Sequence, residues 1–132
     1  VIEDNEQNLY LIRYILEDCG YEVFSAADGK EGIVLAASLK PDLILLDLNM
    51  PRKDGREALK EIRAHHDLRR VPVVVFTTSR ADTDIERVYE LGANSFITKP
   101  AGFDALVATV TQLTGYWFGT VELPVTRAAA LP

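Results

Sequence analysis

The chain has 132 residues, of which 48% are hydrophobic and 26% charged, and a formal net charge of −6. That length holds one domain with a real core and not two. The acidic balance speaks against a general nucleic-acid binder, although a local basic patch stays open, and no apolar run approaches the ~18 residues of a membrane span.

The one cysteine, Cys19, excludes an internal disulfide and fits a reducing, cytoplasmic setting. Its place on a helical apolar spacing reads as core filler. Val1-Ile2 leads straight into acid with no signal-peptide pattern, so the numbered chain reads as starting inside a strand.

In chain order, Val1-Ile2-Glu3 reads as the end of a first strand. Asp4-Asn5 then caps a helix carrying Leu9, Ile12, Leu16 and Cys19 at helical spacing, and Gly20 stops it. Glu22 to Ala26 reads as a second strand, Asp28-Gly29 as a turn and Gly32 to Leu39 as a helix. Pro41-Asp42 opens the central stretch, where Leu43 to Leu46 form a short aliphatic run typical of a strand buried on both faces. Asp54 to Ala64 is a third helix, Pro72 to Phe76 a fourth strand, and Asp82 to Leu91 a helix closed by Gly92. Ser95 to Thr98 is a fifth strand ending at Lys99-Pro100, and Phe103 to Phe118 is a last helix. His65 and His66 read as solvated residues at the end of the third helix. One domain is expected over 1–123, with 124–132 as a tail.

Strand and helix alternate five times, which calls for a parallel sheet with helices on both faces. The expected fold is a flavodoxin-like doubly wound (βα)5 with five strands in the order 2-1-3-4-5. In that order Glu3, Asp4 and Asp47 meet at the carboxyl ends of adjacent strands, where open α/β sheets bind ligands. An isolated Asp at a strand end is usually a turn residue. Three carboxylates together are another matter: they repel one another, and a divalent cation is the natural compensation. All-oxygen ligation suits Mg²⁺, and the Cys or paired His of a zinc site are missing. Thr77 and Lys99 end two further strands and add a hydroxyl and an ammonium that can bind phosphoryl oxygens.

Glu3-Asp4-Asn5, LLDLNMP around Asp47, FTTS with Thr77 and ITKP with Lys99 together resemble the response-regulator receiver domains of two-component signalling. The spacings from Asp47 to Thr77 and from Thr77 to Lys99 agree with that family's, and the likeness runs from Val1 to about Phe118. The resemblance implies a phosphoacceptor signalling domain rather than a conventional enzyme. Asp47 would take a phosphoryl group from the phosphohistidine of a sensor histidine kinase or a phosphotransfer protein. Glu3, Asp4, Asp47 and the backbone carbonyl of Asn49 would hold Mg²⁺, with Mn²⁺ as a substitute. Lys99 and Thr77 would bind the phosphoryl group, and Phe96 stands at the switch-aromatic position without a hydroxyl. Asn49 and Ser79 match positions that tune dephosphorylation. The resemblance also implies a cis bond at Lys99-Pro100, and a readout face made by the fourth helix, fifth strand and fifth helix.

The second half, with its ending YWFGTVELP, looks like the phytochrome-associated response regulators, single receiver domains whose aromatic extension helps form a dimer. Tyr116, Trp117, Phe118, Val121 and Leu123 match that ending. The first half looks more like the cell-cycle single-domain regulators. Three rival readings stand beside this one. A flavodoxin would need a phosphate loop where this chain has the acidic EDNEQN. An aspartyl-nucleophile phosphatase would need a second Asp where this chain has Asn49. The last is a receiver-like scaffold that works without phosphorylation.

Overall fold

Runs of β-branched and aliphatic residues make the strands, and helices on both sides of the sheet bury them. The computed structural model describes residues 1–50 and 53–124; Pro51 and Arg52 of the expected turn, and the tail from Val125, lie outside the described residues. Three strands, β1 (Ile44–Leu46), β2 (Val73–Thr77) and β3 (Ser95–Thr98), pair in parallel in that order. Ile44 stands opposite Val73, and Val75 opposite Phe96.

The two other expected strands are reduced to single parallel bridges, from Ile2 to Leu46 on one side and to Ala26 on the other. The lateral order is the expected 2-1-3-4-5, but five full strands are not what forms. Backbone pairing is present yet short: the Asp47 N–H donates to Ile2 O at 3.0 Å and the Glu3 N–H to Ala26 O at 3.0 Å.

Polar side chains start the first three helices by accepting the N–H groups that a helix leaves unpaired. Asn5 caps α1 (Glu6–Asp18), Asp28 caps α2 (Gly29–Leu39) and Asp54 caps α3 (Gly55–Ala64). The Asp28 cap explains why α2 begins three residues before the expected Gly32. α4 (Asp82–Glu90) follows β2. α5 (Phe103–Gly115) does not run on to Phe118 but changes to a π-helical turn over Tyr116–Thr120.

Alternate strand residues face opposite layers. Ile44, Leu46, Val73 and Val75 join a core with α2, α3 and α4, whereas Leu45, Val74 and Phe76 join one with α1 and α5. Ile12, Ile15 and Leu16 carry the buried stripe of α1. Cys19 does not extend it: it is the C-cap, its N–H bonds Ile15 O, and its side chain is exposed. The helix ends at Asp18, so the spacing that points Cys19 inward no longer applies. Trp117 packs against the α1/α5 core, Phe118 stacks on Tyr21 with ring centroids 4.9 Å apart, and Tyr116 is exposed.

Candidate phosphoryl and metal site

Three chain segments end at the same edge of the sheet, and each delivers a charged group there. Glu3 follows the Ile2 bridge, Asp47 follows β1 and Lys99 follows β3. The register holds Lys99 beside Thr77, since the Lys99 N–H donates to Thr77 O at 2.7 Å. Glu3, Asp4 and Asp47 each offer a carboxylate oxygen within 4.8 Å of the others. Glu3 is 1% exposed and Asp47 8%, while Asp4 is exposed. These three, with Asn5, Asn8, Asn49, Thr78 and Lys99 among others, line an open polar cleft.

Lys99 is the counter-ion. Its Nζ lies 2.5 Å from Glu3 Oε1 and 3.8 Å from Asp47 Oδ2. The Leu48 N–H donates to Asp47 Oδ1 at 2.9 Å and so fixes the plane of that carboxylate. One lysine does not satisfy two buried carboxylates. Burial first, and then the facing Asp47, lift the Glu3 carboxyl from its ordinary 4.5 to about 7, with Lys99 pulling the other way. The buried Glu3 Oε2 has no hydrogen-bond partner. An orphaned carboxylate oxygen among hard oxygen donors is what a Mg²⁺ or Mn²⁺ ion would satisfy, so the residues present fit such an ion.

Other expected site residues stand further off. Thr77 is fully buried at the end of β2, and its Oγ1 faces the Ser79 N–H at 3.5 Å; Thr78 is the residue that lines the cleft. Ser79 turns towards α4 and donates to Asp84 Oδ2 at 2.6 Å. Phe96 is half-buried against the α2–α4 core, and its N–H donates to the Tyr89 hydroxyl at 3.1 Å. The Lys99-Pro100 bond is trans, not cis as the resemblance implies: no described peptide bond is cis. Trans is the lower-energy isomer even before proline, and Lys99 reaches Glu3 from it. His65 and His66 lie at and beyond the end of α3, away from the cleft. A more enclosed cavity of about 110 Å³ lies against the opposite end of β1, where Val23, Leu45 and Leu113 give it an apolar lining unsuited to this chemistry.

Three features of the site carry no clear signal in the sequence. Thr78 was masked by its neighbour in FTTS. Tyr89 reaches the backbone of β3 from α4. Arg56 bridges Asp54 and Asp84, with guanidinium contacts of 2.9 Å and 2.6 Å. Charges 28 positions apart give no local sequence signal of pairing.

The fold and cleft define a doubly wound α/β domain with an acidic ligand site at the carboxyl edge of its sheet. Residues 1–111 match the sequence profile of the response regulator receiver domain, and the chain belongs to that family, whose members are signalling domains. It is 37% identical to the response regulator Rcp1 of Synechocystis over 94% of this chain and 90% of the relative. The crystal structure of Mn²⁺-bound Rcp1 superposes with a TM-score of 0.84 at 35% identity, covering 94% of this chain and 96% of the other. The phosphorylated cyanobacterial phytochrome response regulator RcpA gives 0.85 at 39% identity, covering 94% and 95%. The receiver domain of the sensor histidine kinase PA1611 of Pseudomonas aeruginosa, with a magnesium ion coordinated in its active-site cleft, gives 0.79 at 33% identity, covering 90% and 94%. No described helix is long and apolar enough to cross a membrane.

Proposed function

We propose that this chain is a phosphorylation-controlled switch that accepts a phosphoryl group on Asp47 from a sensor histidine kinase or a phosphotransfer protein. The observation that carries the reading is the meeting of Glu3, Asp4, Asp47 and Lys99 in one cleft. An oxygen of the Asp47 carboxylate forms the new O–P bond as the N–P bond of the donor's phosphohistidine breaks, and the electron pair leaves on the imidazole nitrogen. Glu3, Asp4, Asp47 and the Asn49 carbonyl would hold Mg²⁺, or Mn²⁺ in its place. When bound, the ion neutralises charge on the phosphoryl oxygens.

Lys99 exchanges its bond to Glu3 for one to a phosphoryl oxygen, and Thr77 turns its hydroxyl towards another. Phe96 follows by packing alone, since it has no hydroxyl. The α4–β3–α5 face then changes between two arrangements that a downstream partner reads. Asn49 and Ser79 set how long the phosphoryl group lasts. Residues 1–123 act as one unit in the cytoplasm. The likeness to RcpA and Rcp1 supports a phytochrome-linked kinase as donor. Exposed Tyr116 and Phe118, beside Trp117, support a dimer through the α4–β3–α5 face and the aromatic extension.

Phosphotransfer profiling against a panel of autophosphorylated histidine kinases, a phytochrome among them, tests this. Rapid label transfer from one donor is expected. No transfer from any donor, and none from a small phosphodonor with Mg²⁺, contradicts it.

A further inference from the structure

Ser79 sits two residues beyond Thr77, yet its hydroxyl is engaged with α4 and its preceding loop. It donates to Asp84 Oδ2 at 2.6 Å and accepts the Ala81 N–H at 3.3 Å. The other Asp84 oxygen, Oδ1, accepts from Arg56 Nη2 at 2.6 Å and from Nε at 3.2 Å. Because Asp84 is an ionised acceptor, the one proton of the Ser79 hydroxyl is committed to it in a charge-assisted bond.

Arg56 is itself held by Asp54, the N-cap of α3, through contacts of 2.9 Å and 3.2 Å. Gly55, between them, lies against the Asp47 backbone, where a Cβ would come within 2.2 Å of the Asp47 carbonyl oxygen. A continuous chain of contacts thus runs from the Asp47 backbone through the start of α3 to Asp84 and the loop after Thr77.

We infer that Arg56, acting through Asp84, is a positioning residue for the phosphoryl chemistry: it keeps the Ser79 hydroxyl out of the cleft and so lengthens the life of the phosphoryl group. The inference rests on Asp47 being the phosphoacceptor. With Asp84 gone, the proton of the Ser79 hydroxyl is released beside Thr78, which lines the cleft; with Arg56 gone, Asp84 loses the contacts to its Oδ1 that hold its carboxylate in place, and the Ser79 bond is no longer fixed. There the hydroxyl can orient a water whose oxygen forms a new bond to phosphorus as the Asp47 O–P bond breaks; the electron pair returns to the Asp47 carboxylate, the water's proton passes to a phosphate oxygen, and inorganic phosphate leaves.

The test is the half-life of the phosphoryl group after labelling with radioactive acetyl phosphate and Mg²⁺ and removal of the donor. The full chain is compared with Asp84→Ala, Arg56→Gln, Arg56→Lys, Ser79→Ala and the double variant Ser79→Ala/Asp84→Ala. Asp84→Ala and Arg56→Gln are expected to shorten the half-life by about threefold to tenfold, the kinetic equivalent of one hydrogen bond's net free energy. Arg56→Lys restores part of it. In the Ser79→Ala background the Asp84 change has no further effect, a non-additivity that a merely structural role does not produce. Unchanged or longer half-lives, or equal shortening with and without the Ser79 hydroxyl, overturn the inference. Failure of the unsubstituted chain to take up label overturns instead the assignment of Asp47.

Discussion

Gly55 lies directly on the Asp47 backbone: a Cβ at Gly55 would meet the Asp47 carbonyl oxygen at 2.2 Å and Leu48 Cα at 2.6 Å. Both neighbours are main chain and cannot turn aside. The Gly55 N–H also donates to Leu48 O at 2.9 Å, so the start of α3 and the end of β1 are held as one piece. Gly55→Ala therefore overpacks a rigid contact, with an expected loss of about 1–3 kcal/mol. A urea denaturation midpoint unchanged from that of the native chain would show that the contact is slack.

Glu3 makes stability depend on pH in a direction opposite to that of most acidic groups. Its carboxyl titrates at about 7 in the fold against an ordinary 4.5. Between these values the folded state binds the extra proton, so stability falls as pH rises and the penalty is complete above about 7. The expected span is on the order of 1–3 kcal/mol for the metal-free protein in EDTA. Thermal melts from pH 5 to 8 read it, with Glu3→Gln as the control that loses this part of the slope. Saturating Mg²⁺ is expected to flatten the slope as well, because a bound cation favours the carboxylate form. A slope equal in the native and Glu3→Gln proteins contradicts this reading.

Lys99 is the ammonium closest to both buried carboxylates. Removing one preorganised donor from a phosphoryl site costs about 10²-fold or more in rate. Lys99→Ala is accordingly expected to slow phosphorylation by a small donor to that extent, measured as the initial rate of label uptake at saturating Mg²⁺. A rate within about twofold of native, far short of that loss, would remove Lys99 from the chemistry.

Much of this arrangement is legible in the chain because its signals are local. The aliphatic runs at Ile44–Leu46 and Val73–Thr77 are strands, Asn5 is a cap, and alternation brings Glu3, Asp4 and Asp47 to one edge. What escapes the sequence is settled by neighbours far along the chain. Cys19 follows a helical period past the end of its helix. Ala26 and Ile2 make single bridges, since strand length depends on what lies alongside. Arg56 finds Asp84 only after α3 and α4 have docked, and the bond from the Ser79 hydroxyl to Asp84 forms with them. The trans bond at Lys99-Pro100 is likewise a property of the folded loop, which no residue of the ITKP motif declares.

The central claim is that Asp47 is the phosphoacceptor, and radiolabelled acetyl phosphate with Mg²⁺ tests it most directly on the native chain and on Asp47→Asn. The native protein is expected to take up one hydroxylamine-sensitive phosphoryl group per chain, and the variant none while keeping its fold. Equal labelling of Asp47→Asn, or no labelling of the native chain, would contradict the account.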